Sequence, residues 1–180
     1  MALRTMSMAV STRDSPFKIG ALPALNSTTG VPSGRSADAR AARWSAGNGS
    51  SMRVATYAVP AAKGSDAGEC TVFFFGSGQG GGVDENVERW ARQFDGTPPA
   101  RRSKKAVSGL PVTLAEVEGT YLNPGGGMMT SQGKKPGYRL LGAIVEAPQG
   151  RVFFKMTGPA ATVAAARAAF DGLVASIVKE

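Results

Sequence analysis

The stretch that decides the fold is "ECTVFFFGSGQGGGVDENVERWARQF", residues 69–94. Its first seven residues predict a strand in which both sets of alternating side chains are almost entirely apolar. A strand of that kind has to be covered on both faces. After a glycine-rich break, Val83–Phe94 predicts a helix, because Val83, Val87, Trp90 and Phe94 fall at spacings of four, three and four residues. The unit is a buried strand followed by an amphipathic helix.

The chain on either side of this unit predicts further strands and one more helix. Met52–Pro60 is expected to pair with Glu69–Phe75 as an antiparallel hairpin, since only a short loop separates them. The remaining predicted elements are two strands in Ala106–Leu122 that turn near Gly109, a strand at Tyr138–Pro148, its hairpin partner Arg151–Gly158, and a helix over about Pro159–Val178. Asp95–Lys105 and Asn123–Gly137 are predicted to be exposed loops. The resulting order, ββαββββα, predicts an α+β sandwich on an antiparallel sheet of five or six strands.

Composition divides the 180 residues into a tail and one domain. Residues 52–180 are expected to fold as a single soluble domain, and 42% apolar residues overall are enough for a core. Residues 1–51 have no helical or strand periodicity and are expected to be a disordered basic tail, which supplies about half of the formal net charge of +8. Three interpretations of the tail stay open: an organelle transit peptide, an extension from a wrongly chosen start codon, and a basic arm for nucleic acid or an acidic surface.

The residue inventory disfavours most catalytic chemistry. The chain has no His, which removes histidine-based triads and most zinc sites. Its one cysteine, Cys70, is expected to be a buried, inert thiol in mid-strand. Asp84, Glu85 and Glu88 are expected to mark a helix amino end rather than a carboxylate site. We therefore expect no catalytic residue, no metal and no cofactor, and a non-enzymatic domain. No apolar run is long enough for a transmembrane helix.

A glycine pattern provides the alternative hypothesis. Gly76, Gly78 and Gly81 fit G-x-G-x-x-G between a predicted strand and a predicted helix, as a dinucleotide fingerprint requires. That fingerprint also needs a parallel βαβ unit, whereas the strand here belongs to a predicted hairpin. A plain strand-to-helix connection is favoured, and the alternative is a nucleotide- or phosphate-binding enzyme that uses the Gly76–Gly82 loop.

Two groups of polar side chains are further candidates for binding. The first is basic and consists of Arg101, Arg102, Lys104 and Lys105, with Lys134 and Lys135 in another loop. It could bind phosphate groups, but it lacks the interleaved aromatic residues of a single-strand binder, so a solvated loop is favoured. The folded domain alone is expected to bind duplex DNA weakly and without sequence preference.

The second group lies on the predicted first helix. Asn86, Arg89 and Gln93 occupy adjoining parts of one helix surface around Trp90, which is expected to pack in the core. These three polar side chains are predicted to form a structural hydrogen-bonding cluster or to contact a ligand.

Three stretches carry a resemblance to a known family: "SSMRVATYAVP", "FFFGSGQGGGVDENVERWARQF" and "KPGYRLLGAIVEAPQGRVFFKMTGP". They span about residues 51–177 and include an Asn-x-x-Arg-Trp-x-x-Gln element at Asn86, Arg89, Trp90 and Gln93. They resemble an uncharacterised group of mostly bacterial, often exported or lipoprotein-like domains with a PsbP-like fold. The resemblance implies an α/β/α sandwich with helices on both faces of the sheet. PsbP is an extrinsic, non-enzymatic assembly subunit of photosystem II, so a protein partner is implied. The family resemblance also implies an exported or organelle-lumen location, although residues 1–51 show no signal peptide or lipobox cysteine.

Overall fold

The computed structural model describes residues 53–122 and 133–179, together with the backbone of Phe17–Ile19; of 178–179 it likewise describes the backbone alone. In chain order the elements are β1 (Phe17–Ile19), β2 (Arg53–Val59), β3 (Gly68–Phe74), α1 (Val83–Ala91), β4 (Arg101–Val107), β5 (Leu110–Tyr121), β6 (Lys135–Ala147), β7 (Gly150–Pro159), α2 (Ala160–Ala175) and β8 (Ile177–Lys179). From β2 to α2 this is the predicted order of strands and helices.

The main sheet has six strands in the order β2-β3-β7-β6-β5-β4, and every neighbouring pair is antiparallel. The predicted antiparallel sheet of five or six strands is therefore confirmed, as are the β2–β3 and β6–β7 hairpins. β3 lies between β2 and β7. Its side chains pack on both faces of the sheet, Val72 in one group of buried residues and Phe73 against another, which accounts for its two apolar faces. With two helices added to this sheet, the fold is α+β.

Buried side chains form two clusters. The α2 cluster is made of Ala55, Tyr57, Val59, Cys70, Val72, Leu110, Val112, Leu141, Ala143, Val145, Val152, Phe154, Met156, Val163, Ala166, Phe170, Leu173, Val174 and Ile177. The α1 cluster is made of Val87, Trp90, Ala91, Phe94, Ala115, Val117, Tyr121, Leu140, Ile144 and Phe153. Along β6, Leu141 and Ala143 belong to the first cluster and Leu140 and Ile144 to the second. This division follows from the alternation of side chains along a strand.

The prediction of an exposed loop at Asp95–Lys105 was wrong over its second half. Residues from Arg101 onward form β4, which pairs with β5 in unbroken register as far as Val107 and Leu110. Charged side chains masked this strand in the sequence, because an edge strand can carry Lys and Arg that an inner strand cannot. β6 likewise begins at Lys135, inside the predicted loop Asn123–Gly137, of which residues 123–132 lie outside the described residues.

Both helices are shorter than predicted. α1 ends at Ala91, where a turn takes over and Phe94 forms an isolated bridge with Tyr121. α2 ends at Ala175, because the next residues form β8 and pair with a strand of the tail. That tail strand is β1, which lies within residues 1–51, the part predicted to be disordered; the rest of the tail lies outside the described residues. In the described part of the chain, no helix has the length and apolarity needed to cross a membrane.

Candidate functional site

Helix α1 begins where a glycine-rich loop ends, and its amino end is already occupied. The backbone N–H of Gly82 donates to the Glu85 carboxylate over 2.9 Å. Asp84 adds a second carboxylate in the first turn, as the helix dipole prefers. The expected role of these acidic residues as a helix amino end is confirmed. The backbone N–H of Gly82, a donor that a phosphate could use at a helix amino end, is already bonded to the Glu85 carboxylate.

The loop itself does not have the geometry of a dinucleotide fingerprint. The strand that precedes it, β3, is antiparallel to both of its neighbours, whereas the fingerprint requires a parallel βαβ unit. Gly76, Gly78, Gly80 and Gly81 all have φ between 72° and 88°, which side chains other than glycine rarely adopt. Glycine at these positions serves the path of the loop from β3 to α1.

Trp90 fixes α1 against the sheet. Its indole lies directly over Gly142 of β6, where an added Cβ would overlap the six-membered ring. Only glycine leaves room for this approach, so the Trp90–Gly142 contact sets how closely α1 lies to the sheet. The expectation that Trp90 packs in the core is confirmed, since its exposed fraction is 5%.

Asn86 ties the helix to the loop. Its side chain is 4% exposed, and its Nδ2 donates to the backbone oxygens of Gly80 over 2.8 Å and Gly82 over 2.7 Å. Arg89 donates in turn to Asn86 Oδ1 over 3.2 Å. Every polar atom of the Asn86 side chain thus has a partner within the protein, which is the requirement for a buried amide.

Gln93, the third predicted member of this cluster, forms its hydrogen bonds with other residues than Asn86 and Arg89. Its Oε1 accepts from Lys155 Nζ over 2.6 Å and from the Tyr121 hydroxyl over 3.4 Å. Two separate polar sites therefore replace the single predicted cluster, one on α1 and one in the turn that follows it. Asn86 and Arg89 hold the loop, and Gln93 meets a lysine from β7.

Lys155 is a polar site residue that the sequence analysis missed. Burial lowers its pKa from the ordinary 10.5 to about 8; Arg53 acts in the same direction and Glu69 opposes it. Burial also raises the pKa of Tyr121, whose ring lies 5.9 Å from Lys155 Nζ. The sequence does show a charged residue at the centre of an otherwise apolar strand. It does not show the partner of Lys155, because Gln93 is 62 positions away along the chain.

Cys70 lies at the centre of β3 and its exposed fraction is zero. Burial raises the pKa of its thiol, so the nucleophilic thiolate is disfavoured, in line with the expected inert cysteine. Within the described ranges, no group of three or more His, Cys, Asp or Glu side chains could hold a metal ion.

The basic residues of β4 have unequal partners. Arg102 forms an ion pair with Asp84 of α1, and Lys105 lies 3.9 Å from Asp171 of α2. Arg101 and Lys104 are exposed, and among the described residues neither has a hydrogen-bond or ion-pair partner. The strand thus presents two uncompensated positive charges.

The two lysines predicted alongside them lie at a separate point of the sheet. Lys134 donates to Asp95 over 2.7 Å, and this pairing lowers the pKa of Asp95. Lys135 lies 5.5 Å from the centre of the Tyr138 ring. Both lysines already have partners within the chain, so they add no free charge to the β4 group.

A small recess of about 150 Å³ lies beside β4. It is bounded by Arg101, Arg102, Ser103, Leu114, Ala115, Glu116, Leu141, Gly142, Arg167, Phe170 and Asp171. Leu114 and Phe170 give it an apolar floor, and Arg167 is paired with Glu116 at its rim. It is the size of one or two side chains rather than of a cofactor.

A wider and more open cleft of about 600 Å³ lies where three connections meet. It is bounded by Ser77–Gln79, Ser108–Pro111, Glu146–Pro148 and Gly150–Arg151. Its charged groups, Glu146 and Arg151, lie 3.5 Å apart and neutralise each other. The cleft therefore offers no net charge to a phosphate.

Comparison with known proteins gives little. No protein-family model and no curated protein matches the chain. Among solved structures, a Pseudomonas aeruginosa protein of unknown function, PA94, is similar over 97% of both chains, with 11% sequence identity and a TM-score of 0.49. What this chain does has to be inferred from its own residues.

Proposed function

We propose that residues 52–180 form a non-enzymatic binding or assembly domain whose partner is a protein. The observation that carries the proposal is a pair of exposed cations on an edge strand, Arg101 and Lys104, which have no ion-pair partner within the described part of the chain. Uncompensated charge favours an oppositely charged partner surface and speeds its association. The other polar residues of the candidate site have partners within the chain, which supports a structural role for Asn86 and Arg89.

The proposed fold is a PsbP-like α/β/α sandwich with one helix on each face of the sheet. Support comes from β6, where alternate residues pack with different helices. Two ion pairs of β4 also support it. Arg102 pairs with Asp84 of α1, and Lys105, three residues further along the strand and therefore on its opposite face, pairs with Asp171 of α2. The proposed location, exported or in an organelle lumen, rests on the family resemblance; the mature amino terminus of the protein purified from its own source tests it.

Capture from a lysate of the source organism tests the binding function. The full chain is compared with Lys104→Glu and with Lys63→Glu, a control that makes the same charge change at an exposed turn between β2 and β3. We expect a protein retained by the wild type and by Lys63→Glu but lost with Lys104→Glu. Equal retention by all three chains would place the partner elsewhere and contradict the proposal.

The nucleotide-binding alternative predicts a different result. If the Gly76–Gly82 loop holds a nucleotide, NAD, FAD or ATP raises the melting temperature by mass action. A rise that disappears in Gly78→Val would favour the enzyme. The carboxylates at the start of α1 lead us to expect no rise with any of the three.

A further inference from the structure

Strand β4 forms one edge of the main sheet. It pairs with β5 on one side, and in the described part of the chain no strand pairs with its other side. Its seven residues are exposed or half-buried. An edge of this length presents a row of backbone donors and acceptors that an extended chain can use.

The hairpin turn determines which backbone groups point outward. Ser108 and Gly109 both have positive φ, 49° and 76°, as in a two-residue type I′ turn, and Val107 pairs with Leu110. The pair that closes such a turn is hydrogen-bonded, and the hydrogen-bonded pairs alternate along the ladder. Arg101, Ser103, Lys105 and Val107 thus bond inward to β5. The outward N–H and C=O groups belong to Arg102, Lys104 and Ala106.

The two faces of β4 carry different surroundings. Arg102 and Lys104 share one face, and of these two Lys104 is the one without an ion-pair partner among the residues that the structure describes. Arg101 and Ser103 share the other face and border the recess floored by Leu114 and Phe170. A chain added along β4 would direct alternate side chains toward a cation and toward an apolar recess.

We propose that β4 binds an extended segment of the protein partner as an added antiparallel strand, in which acidic side chains alternate with small apolar ones. The acidic residues lie opposite Arg102 and Lys104, and the apolar residues lie beside the recess. The antiparallel sense follows the rest of the sheet. This inference rests on the proposed binding function and adds its mode and the chemistry of the partner.

Charge separates this partner from a second copy of the chain. Two β4 strands side by side would bring Lys and Arg against Lys and Arg, which is unfavourable. An acidic strand at the same edge gains an ion pair with Lys104 as well as backbone hydrogen bonds. The same side chains thus exclude self-association and admit an acidic segment.

A synthetic probe tests the geometry with the full-length protein. The probe is a fluorescein-labelled peptide of five Glu-Val repeats, and its affinity is measured by fluorescence anisotropy near 0.15 M salt. In the proposed register the Glu residues face Arg102 and Lys104, so the Glu amides are the ones that bond to β4. Methylating the Glu amide nitrogens should weaken binding about tenfold or more, since several hydrogen bonds are lost. Methylating the Val amide nitrogens should change it less than about threefold.

A second measurement does not depend on the peptide chemistry. Amide hydrogen exchange, followed by NMR with and without the probe, should slow at Arg102, Lys104 and Ala106. Exchange at Arg101, Ser103 and Lys105 should be unchanged, because these amides are already bonded to β5. The matched control peptide has Gln in place of Glu and should bind about tenfold more weakly because the charge is gone.

The outcomes separate this inference from the proposed function. Equal weakening by both methylated peptides, or slowed exchange without alternation, would overturn strand addition. The loss of a captured protein in Lys104→Glu would still support binding through charge. Absence of probe binding would also overturn the inference, while the lysate capture tests the proposed function independently.

Discussion

The two hydrophobic clusters differ in what holds them together. The α2 cluster is the larger and draws its buried residues from β2, β3, β5, β6, β7, α2 and β8. It consists of aliphatic residues and a few aromatic rings, with no charged member. The α1 cluster is smaller, richer in aromatic rings, and bordered by the polar contacts of Asn86 and Lys155. The comparison indicates that apolar area supports α2, whereas a few specific contacts position α1.

The largest effect is expected from truncation within the α2 cluster. Phe170→Ala removes a ring whose exposed fraction is 2% and should cost about 3–5 kcal/mol of unfolding free energy. Urea denaturation measures it, with the exposed Ala164→Ser on the same helix as control, for which a change within about 0.5 kcal/mol is expected. A cost below about 1 kcal/mol would show that α2 is not held by buried area.

A single methyl group should disturb the α1 cluster. Gly142→Ala places a Cβ inside the Trp90 ring and should cost about 2–3 kcal/mol, because α1 has to move away from the sheet. Gly133→Ala is the control, since no atom of the described residues lies within 4 Å of a Cβ there. Combining Gly142→Ala with Trp90→Leu should cost less than the sum of the two single changes. Strict additivity would show that the two residues do not restrict each other.

Removal of the Asn86 amide tests the specific contacts of α1. Asn86→Ala leaves the carbonyls of Gly80 and Gly82 without their side-chain donor and should cost about 1–3 kcal/mol. Arg89→Ala should cost less, since Arg89 contacts the loop only through Asn86. Denaturation curves of both variants decide, and the reverse order would mean that Arg89 has the greater part in holding the loop.

Raising the pH should increase the free energy of unfolding through Lys155, which lies beside the α1 cluster. The pKa of Lys155 is about 8 in the folded protein against 10.5 for an ordinary lysine, so between these values the folded state binds fewer protons than the unfolded chain. Stability then rises with pH, by on the order of 1–2 kcal/mol from pH 7 to pH 9.5. Raised pKa values of Tyr121 and Cys70 act in the opposite direction near the top of this range. The comparison with Lys155→Met isolates the lysine, because that variant keeps the tyrosine and cysteine effects but lacks the rise; parallel profiles for the two proteins would contradict the expectation.

The smallest effect is expected at the edge of the α2 cluster. Deleting Met1–Arg43 removes β1, which forms three residue pairs with β8, one of them with the buried Ile177. We expect a loss of less than about 1 kcal/mol, because three pairs add little to a cluster already closed by α2. Thermal unfolding of the shortened chain measures it. A loss above about 2 kcal/mol would make the tail part of the cluster.

Sequence alone predicted the parts of the fold that repeat at short range. The two-sided strands β3 and β6, the stripe of α1 and the order of elements could all be inferred from periodicity. β4 could not, because its charges at Arg101 and Lys104 are typical of a loop until β5 is seen beside it.

The sequence predicted one part of the candidate site, the contact of Asn86 with Arg89, but not the surroundings of Gln93. Helical spacing placed Asn86 and Arg89 together correctly, since i and i+3 are neighbours on a helix. The same spacing wrongly suggested that Gln93 completes their cluster, because its partner Lys155 comes from another strand 62 residues later. Contacts at such separations depend on the sheet order, which no local pattern encodes.

The position of β3 in the sheet has a consequence for synthesis. β3 pairs with β7, and Thr71 meets Lys155 some 84 positions later. At about 5–20 residues per second, a ribosome completes β7 roughly 4–17 seconds after β3. During that interval the hairpin of β2 and β3 has apolar side chains on both sides and no strand at its inner edge. The nascent chain is therefore most prone to aggregate, and most in need of a chaperone, before β7 is complete at Pro159.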